Sequence, residues 1–410
     1  MKMSVARISL GVLASLVLSG VASGDDVVSA RSVPTVAAEA RWADAERDFR
    51  LPVNLAAGSV ARRATAVDVS VDFAAAMRTA GGSGTFDSRS LRVVEVDSTG
   101  AVRDSGVAAQ FEQRAGAEAG VGTLVIGVER STASGATRRY HAYFDAAGSG
   151  FTPVSVATQV SVSTAIDEGQ SSFVFQTPAA KWFYHRAGGG FSSLVDPAGN
   201  DWLSYSTAPR ATGEFRGIPN AVHPEGHFHP GATSSVTTIL SEGPLKVVFE
   251  SVVGNRQWVA RWAIYPDRAQ MTMVAAPSAY WWLYEGTPGG QIDAGDTVVR
   301  PSGTPTPLAR EWVGDLNPEF VGYVDPARNR SLVAVHHEND ANVDSHRVMD
   351  GAMTVFGFGR NGVAKTLTGS HSFTVALLPT DATAAVRTGA KSFLVNWGTT
   401  TGTPERRPGT

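Results

Sequence analysis

The sequence predicts an all-β protein, built as a small N-terminal β-sandwich followed by a much larger antiparallel two-sheet sandwich. Three observations carry that expectation. Apolar and polar residues alternate in short runs, the period-two pattern of strands with one buried face. Turn residues separate those runs, and the chain holds 43 glycines and 21 prolines. One stretch, 382–393, has a convincing helical period, with Ala385, Val386, Ala390 and Phe393 on one face. No fixed-period repeat of the propeller kind is evident.

The 410-residue chain opens with Lys2, an apolar run over 8–21 and the small residues Ala22-Ser23-Gly24. This layout predicts a signal peptide at 1–23. A flexible Val/Ala/Ser/Pro-rich leader is expected over 24–44. Alternating runs at 66–73, 90–96, 109–112, 122–128 and 137–145 place the N-terminal sandwich at 45–148. A Ser/Thr/Gly/Val-rich linker is expected over 149–169. Strand runs then resume and continue to 372–378, which sets the second domain at 170–397. Within it Asp196-Pro197-Ala198-Gly199 reads as a tight turn, and Gly254-Asn255 as the loop of a hairpin. The polar tail, 398–410, is expected to be disordered.

Composition narrows the function. There is no cysteine, so neither disulfides nor a lipid-modified cysteine can hold this chain. The formal net charge of -3, from 35 basic and 38 acidic residues, gives no polybasic surface for nucleic acid or anionic lipid. No stretch after the N-terminal run approaches the ~18 apolar residues of a membrane span. A secreted or extracytoplasmic protein is therefore expected.

Three clusters could carry chemistry. The first is Arg216 with His223, Glu225, His227 and His229. The second is Trp281-Trp282-Leu283-Tyr284-Glu285-Gly286. The third is His336-His337-Glu338-Asn339-Asp340 with Asp344, His346 and Arg347. Six of the nine histidines fall in the first and third. If 227–229 is extended, His227 and His229 share a face and could bind a divalent metal, with His223 or His336 as a third ligand. No cofactor is otherwise required. Aromatic residues such as Trp281 would stack on sugar rings, making a polysaccharide or oligosaccharide the expected partner. A lyase acting on uronate polymers needs a base, an acid and a cation for the carboxylate. Tyr284 or His336 would be the base, and His223 with Arg216 the neutralising pair. His337, His346, Glu285, Trp281 and Arg360 would bind substrate. A glycoside hydrolase would need a carboxylate pair instead, which Glu225, Glu285, Glu311, Glu338 and Asp340 could furnish. A mutarotase needs one carboxylate base and one histidine acid.

The runs Gly190-Phe191-Ser192-Ser193-Leu194-Val195-Asp196-Pro197-Ala198-Gly199 and His223-Pro224-Glu225-Gly226-His227-Phe228-His229-Pro230-Gly231 resemble the galactose-mutarotase-like supersandwich of many carbohydrate-active proteins. The resemblance spans about residues 170–395. It implies a cleft on the concave face of one sheet, with histidine, tyrosine and arginine as the working groups of a polysaccharide lyase. By motif position His223 and one of His336 or His337 carry over, and the upstream sandwich becomes an accessory module. The chain departs from the epimerase pattern in lacking a matched base glutamate near its C-terminal end. Lyase, hydrolase and non-catalytic glycan binding remain open.

Overall fold

The computed structural model describes residues 42–208, 212–223 and 225–410. The expected signal peptide, and the expected leader as far as residue 41, lie outside the described residues. Residues 42–44 are docked rather than free. Trp42 packs edge-on against Tyr143, and the buried Asp44 accepts from Arg47 at 2.7 Å and Arg92 at 3.2 Å.

The first part comprises β1 (Phe49–Ala56), β2 (Thr65–Asp72), the helix α1 (Phe73–Thr79), β3 (Phe86–Val96), β4 (Val102–Val107), β5 (Ala109–Gln113), β6 (Val121–Val128) and β7 (Thr137–Ala146). One sheet runs β1-β7-β3-β4 and the other β2-β6-β5. Alternate residues of each strand turn inward, so Leu51, Val53, Val69, Leu124, Ile126 and Phe144 share one apolar core. Asp72 starts α1 by accepting the Ala75 N–H at 2.7 Å.

Next come β8 (Ser161–Asp167), β9 (Gln170–Gln176), β10 (Lys181–His185) and β11 (Gly190–Val195), paired in the order β11-β10-β9-β8. Residues 161–167, expected as linker, are therefore sheet. Pairing with β9 satisfies their backbone, and Asp167 is held by Ser192 at 2.5 Å and His185 at 3.2 Å. The Asp196 turn forms as expected, its carboxylate accepting from the N–H groups of Ala198 and Asn200.

The chain continues with β12 (Val236–Glu242), β13 (Val247–Val253), β14 (Trp258–Ile264), β15 (Ala269–Ala275), β16 (Trp282–Gly286), β17 (Thr297–Val299), β18 (Thr306–Pro307), β19 (Trp312–Gly314), β20 (Phe320–Asp325), β21 (Arg330–His336), β22 (Asp344–Met349) and β23 (Met353–Phe358). It closes with the small ladder β24 (Arg360–Asn361) and β25 (Ala364–Lys365), then β26 (Ser372–Leu378), helix α2 (Thr383–Leu394), β27 (Gly398–Thr401) and β28 (Glu405–Arg406). A nine-stranded antiparallel sheet runs β12-β13-β14-β15-β26-β21-β20-β17-β18. Facing it are the β11-to-β8 sheet and a second four-stranded sheet, β16-β23-β22-β19. Backbone bridges Phe191–Ile218 and Gly217–Glu285 join these two small sheets edge to edge into one layer. A Cβ on Gly217 would meet Pro230 at 2.4 Å, so this seam admits only glycine.

The core between the layers is aromatic. Phe175, Tyr184 and Phe191 meet Phe249 and Trp262 of the nine-stranded sheet, with the Phe175 and Phe249 rings stacked at 4.9 Å. The opposite face of that sheet is covered by α2, whose Val386 and Ala390 pack on Val333, Val335 and Ala376. A buried polar seam ties the first part to the second. Lys246 binds Asp68 at 2.6 Å and Glu112 at 2.8 Å, and Gln110 accepts the N–H groups of Leu245 and Lys246. The segment after Asn396 is ordered rather than disordered. β27 and β28 pair with β1, and Arg50 bonds Glu405 at 2.5 Å. A polar tail lacks a core-seeking face, yet its backbone completes an otherwise open sheet edge. Among the described residues no helix is long and apolar enough to cross a membrane.

Because Phe249 fills the centre of this core, Phe249→Ala should cost about 3–5 kcal/mol, read as a lowered urea midpoint.

Candidate active site

Side chains alternate along β16. Trp282 and Tyr284 join the core with Phe356 and Phe358, so Leu283 and Glu285 point to the outer side of the layer. Glu285 sits at the seam, its backbone paired with Gly217 on one side and Val355 on the other. It is only 4% exposed, and its carboxylate accepts from Asn220 Nδ2 at 2.9 Å. Burial pushes its carboxyl up to about 8, against the opposing pull of the Asn220 bond and the Arg360 charge.

Arg360 follows directly on β23, where Gly359 reverses the chain at φ 66°. Its Nε and Nη1 are buried with no hydrogen-bond partner among the described residues. Burial lowers its pKa, and Glu285 works in the other direction. The guanidinium lies 5.8 Å from the centre of the Trp281 ring and Lys365 Nζ lies 5.7 Å from it. Trp281 is itself buried, so it is a platform for two cations and not an open sugar-stacking face. Lys365 in turn binds Glu225 at 2.8 Å. Arg216, next to the seam, donates to the Ser204 and Ala352 carbonyls at 3.1 and 3.2 Å. These bonds tie the segment at 216 to the loops that hold Ser204 and Ala352. His223 is exposed, edge-on to Phe215 at 6.4 Å.

The fold thus gathers Glu285, Arg360 and Trp281, with Arg216 beside them, and adds Asn220 and Lys365. Asn220 lies four residues from Arg216 in the first cluster and is the kind of polar residue that the histidines overshadowed. Lys365 had no local signal, because the short β24–β25 ladder alone brings it over Trp281.

Other expected site residues lie elsewhere. Tyr284 is fully buried and donates to the Trp202 carbonyl at 3.0 Å, with burial holding its phenol far above the usual range. It cannot serve as an accessible base. His336 is also fully buried, and its ring stacks on Phe373 at 4.9 Å. His337, one residue on, faces the opposite side of the sheet and pairs with Thr374 at 2.8 Å, its pKa lowered to about 4 by burial. Adjacent strand residues cannot share one site. His346 is a core residue between the Tyr323 hydroxyl at 3.0 Å and the Leu308 carbonyl at 2.8 Å. His227 and His229 do not converge on a metal. Phe228 has φ 53°, which breaks the extended path that would align them. His227 instead bonds Ser234 at 3.0 Å and His229 the Phe215 carbonyl at 3.1 Å.

A cavity of about 460 Å³ opens on the α2 side of the nine-stranded sheet, lined in part by Arg62, Arg268, Arg330 and His337. Arg62 is engaged with the Ala57 and Ser392 carbonyls and Arg268 with Asp267, whereas Arg330 Nε lies 3.4 Å from Asp196 without a hydrogen bond among the described residues and Arg63 is exposed. The Glu285 face is the stronger candidate because a buried carboxyl with a raised pKa and two unpaired guanidinium donors of Arg360 occur together there.

No protein-family model matches the chain, and no curated protein matches it in sequence. Among solved structures, HI1317 is similar at TM-score 0.39 and 12% identity, over 55% of this chain and 97% of that protein. A protein of Escherichia coli K12 provisionally named an aldose 1-epimerase is similar at TM-score 0.31 and 9% identity, over 53% and 99%. The α-galactosidase of Lactobacillus brevis is similar at TM-score 0.31 and 11% identity, over 52% and 40%.

Two outcomes follow from this geometry. Tyr284→Phe should cost about 1 kcal/mol of stability, the worth of one buried hydrogen bond, by urea unfolding. Glu285 titrates from 4.5 in the open chain to about 8 in the fold. Between those values the folded protein holds a proton that the unfolded chain releases, so stability falls as pH rises through this window. Glu285→Gln cannot ionise, and unfolding midpoints at pH 5 and pH 8 should lie closer together in the variant than in the parent protein.

Proposed function

We propose that the protein is a carbohydrate-active enzyme that moves protons at the anomeric centre of a sugar, with Glu285 as its buried acid. The observation that carries this is the Glu285–Asn220–Arg360 group, a carboxyl poised near neutrality beside a guanidinium with unpaired donors. Such a carboxyl is a competent acid at working pH and a competent base once its proton has left. Arg360 would bind a sugar hydroxyl or carboxylate and offset negative charge that develops there. His223, three residues beyond Asn220, would be the second proton carrier. It would take the proton of the C1 hydroxyl while Glu285 protonates the ring oxygen. The C1–O5 bond then breaks to give the open aldehyde, and closure on either face returns both protons. The N-terminal segment would deliver the protein to the extracytoplasmic space, where free sugars and glycans are available.

β-Elimination is less well supported, because Tyr284 and His336, the two expected bases, both point into the core. Hydrolysis is the second reading. The exposed Glu311 raises the pKa of Arg360, as Glu285 does, and it would be the second carboxylate of such a pair.

Polarimetry on freshly dissolved single anomers of aldoses and uronic acids tests the proposal. Accelerated equilibration is expected, with Glu285→Gln slower by roughly 10²-fold or more. Activity should fall as pH rises through about 8, where Glu285 loses its proton. Release of reducing ends from a glycan without anomer exchange would shift the assignment to hydrolase, and an unsaturated uronate product would shift it to lyase. Glycan retention with no product of any kind would leave a binding protein.

A further inference from the structure

A second group of titratable side chains meets at the rim of the large sandwich. His336 ends β21, Glu319 lies across from it just before β20, and His371 immediately precedes β26. His336 Nδ1 is bonded to the Glu319 carboxylate. His371 Nε2 lies 3.1 Å from the Thr368 carbonyl. An ionised carboxylate and a carbonyl can only accept, so each of these ring nitrogens must carry a proton. Were both rings neutral, the remaining nitrogens, His336 Nε2 and His371 Nδ1, would be bare lone pairs. They face each other at 2.8 Å.

Two acceptors at that separation repel unless a positive centre joins them, either a cation or a proton on His336, whose pKa is raised, against burial, by Glu319 and Glu338 to about 9. Carboxylates surround the same point. Glu338 Oε2 is 3.3 Å from His336 Nε2 and 3.8 Å from His371 Nδ1, and one Asp340 oxygen lies within 4.8 Å of both histidines' ligand atoms. The outer bonds to Glu319 and Thr368 are of the kind that orient metal-binding imidazoles and fix their tautomers. Two imidazoles with one or two carboxylates form a donor set suited to zinc or a similar transition ion. Zinc–nitrogen bonds of ~2.0–2.1 Å in a tetrahedral site hold two nitrogens about 3.3 Å apart. The rings would need to part by only about half an ångström.

We infer that His336 Nε2, His371 Nδ1 and Glu338, with Asp340 as a further carboxylate, bind one divalent metal ion of the zinc class. The ion ties the end of β21 to the loop before β22 and to the start of β26. These residues are distinct from His227 and His229, and the site does not depend on the sugar chemistry proposed for Glu285. A proton shared between the two rings would answer the same pair of lone pairs, and it is the competing occupant.

The untagged full chain, stripped with chelator, is dialysed against Zn²⁺ and separately against Co²⁺. One equivalent of metal is expected, with visible d–d absorption for Co²⁺ and a Zn²⁺-dependent rise in Tm. His336 is wholly buried and its loss could unfold the chain, so the variants are His371→Ala and Glu338→Ala, both at partly exposed side chains. Each should weaken binding at least tenfold and abolish the Zn²⁺-dependent rise in Tm, while the metal-free Tm stays near that of the parent. Glu319→Gln should weaken binding about 10–100-fold through the orientation of His336. No bound equivalent, with a strongly downfield shared-proton resonance between the rings, would overturn the inference. So would metal retained by the His371→Ala/Glu338→Ala double variant.

Discussion

Strict alternation of side chains along paired strands is the constraint on which this molecule depends. Once the aromatic core claims Trp282 and Tyr284, Glu285 has to face outward. Once Leu332, Ala334 and His336 turn toward the inner layer, Val335 packs under α2 and His337 turns the same way. A one-residue slip would exchange every one of these roles. The seam at Gly217 holds the register where it matters most, because it pairs with Glu285 on the free edge of β16.

Electrostatics follows from that placement. Glu285 is forced to an outward position that is nevertheless covered, and burial without a direct ion pair raises its pKa. Arg360 is half-buried with donors left over, a costly arrangement in a folded protein and therefore informative. By contrast, in the α2-side cavity Arg62 is spent on the Ala57 and Ser392 carbonyls and Arg268 on Asp267. The same contrast separates the histidines. His346 is saturated by the Tyr323 hydroxyl and the Leu308 carbonyl, and His229 is held by the Phe215 carbonyl, whereas His336 and His371 direct nitrogens at one another.

The two parts of the chain are less independent than a linker between domains would make them. Residues 161–167 are an edge strand of the second part, and residues 398–406 return to complete the first. The buried Lys246–Asp68–Glu112 group and the Gln110 bonds form the polar seam between them. Both segments are mostly polar and read as loops when taken alone. Their backbones find partners only after the neighbouring strands are in place.

The all-β class was legible in the sequence because period-two alternation and turn residues are local properties. So were the α2 helix and the Asp196 turn. A charged residue at 285, out of phase with the aromatics at 282 and 284, was a local sign of an outward carboxylate. What only the tertiary structure decided was which polar residues meet. Asn220, Lys365, Glu319 and His371 reach their partners through strand pairings across tens of residues, and no spacing in the chain encodes those contacts. His227 and His229 show the converse: their spacing suggested a shared face, and one left-handed residue between them, Phe228, removed it. Alternation tells which side of a sheet a residue takes, but only the pairing of distant strands tells what it finds there.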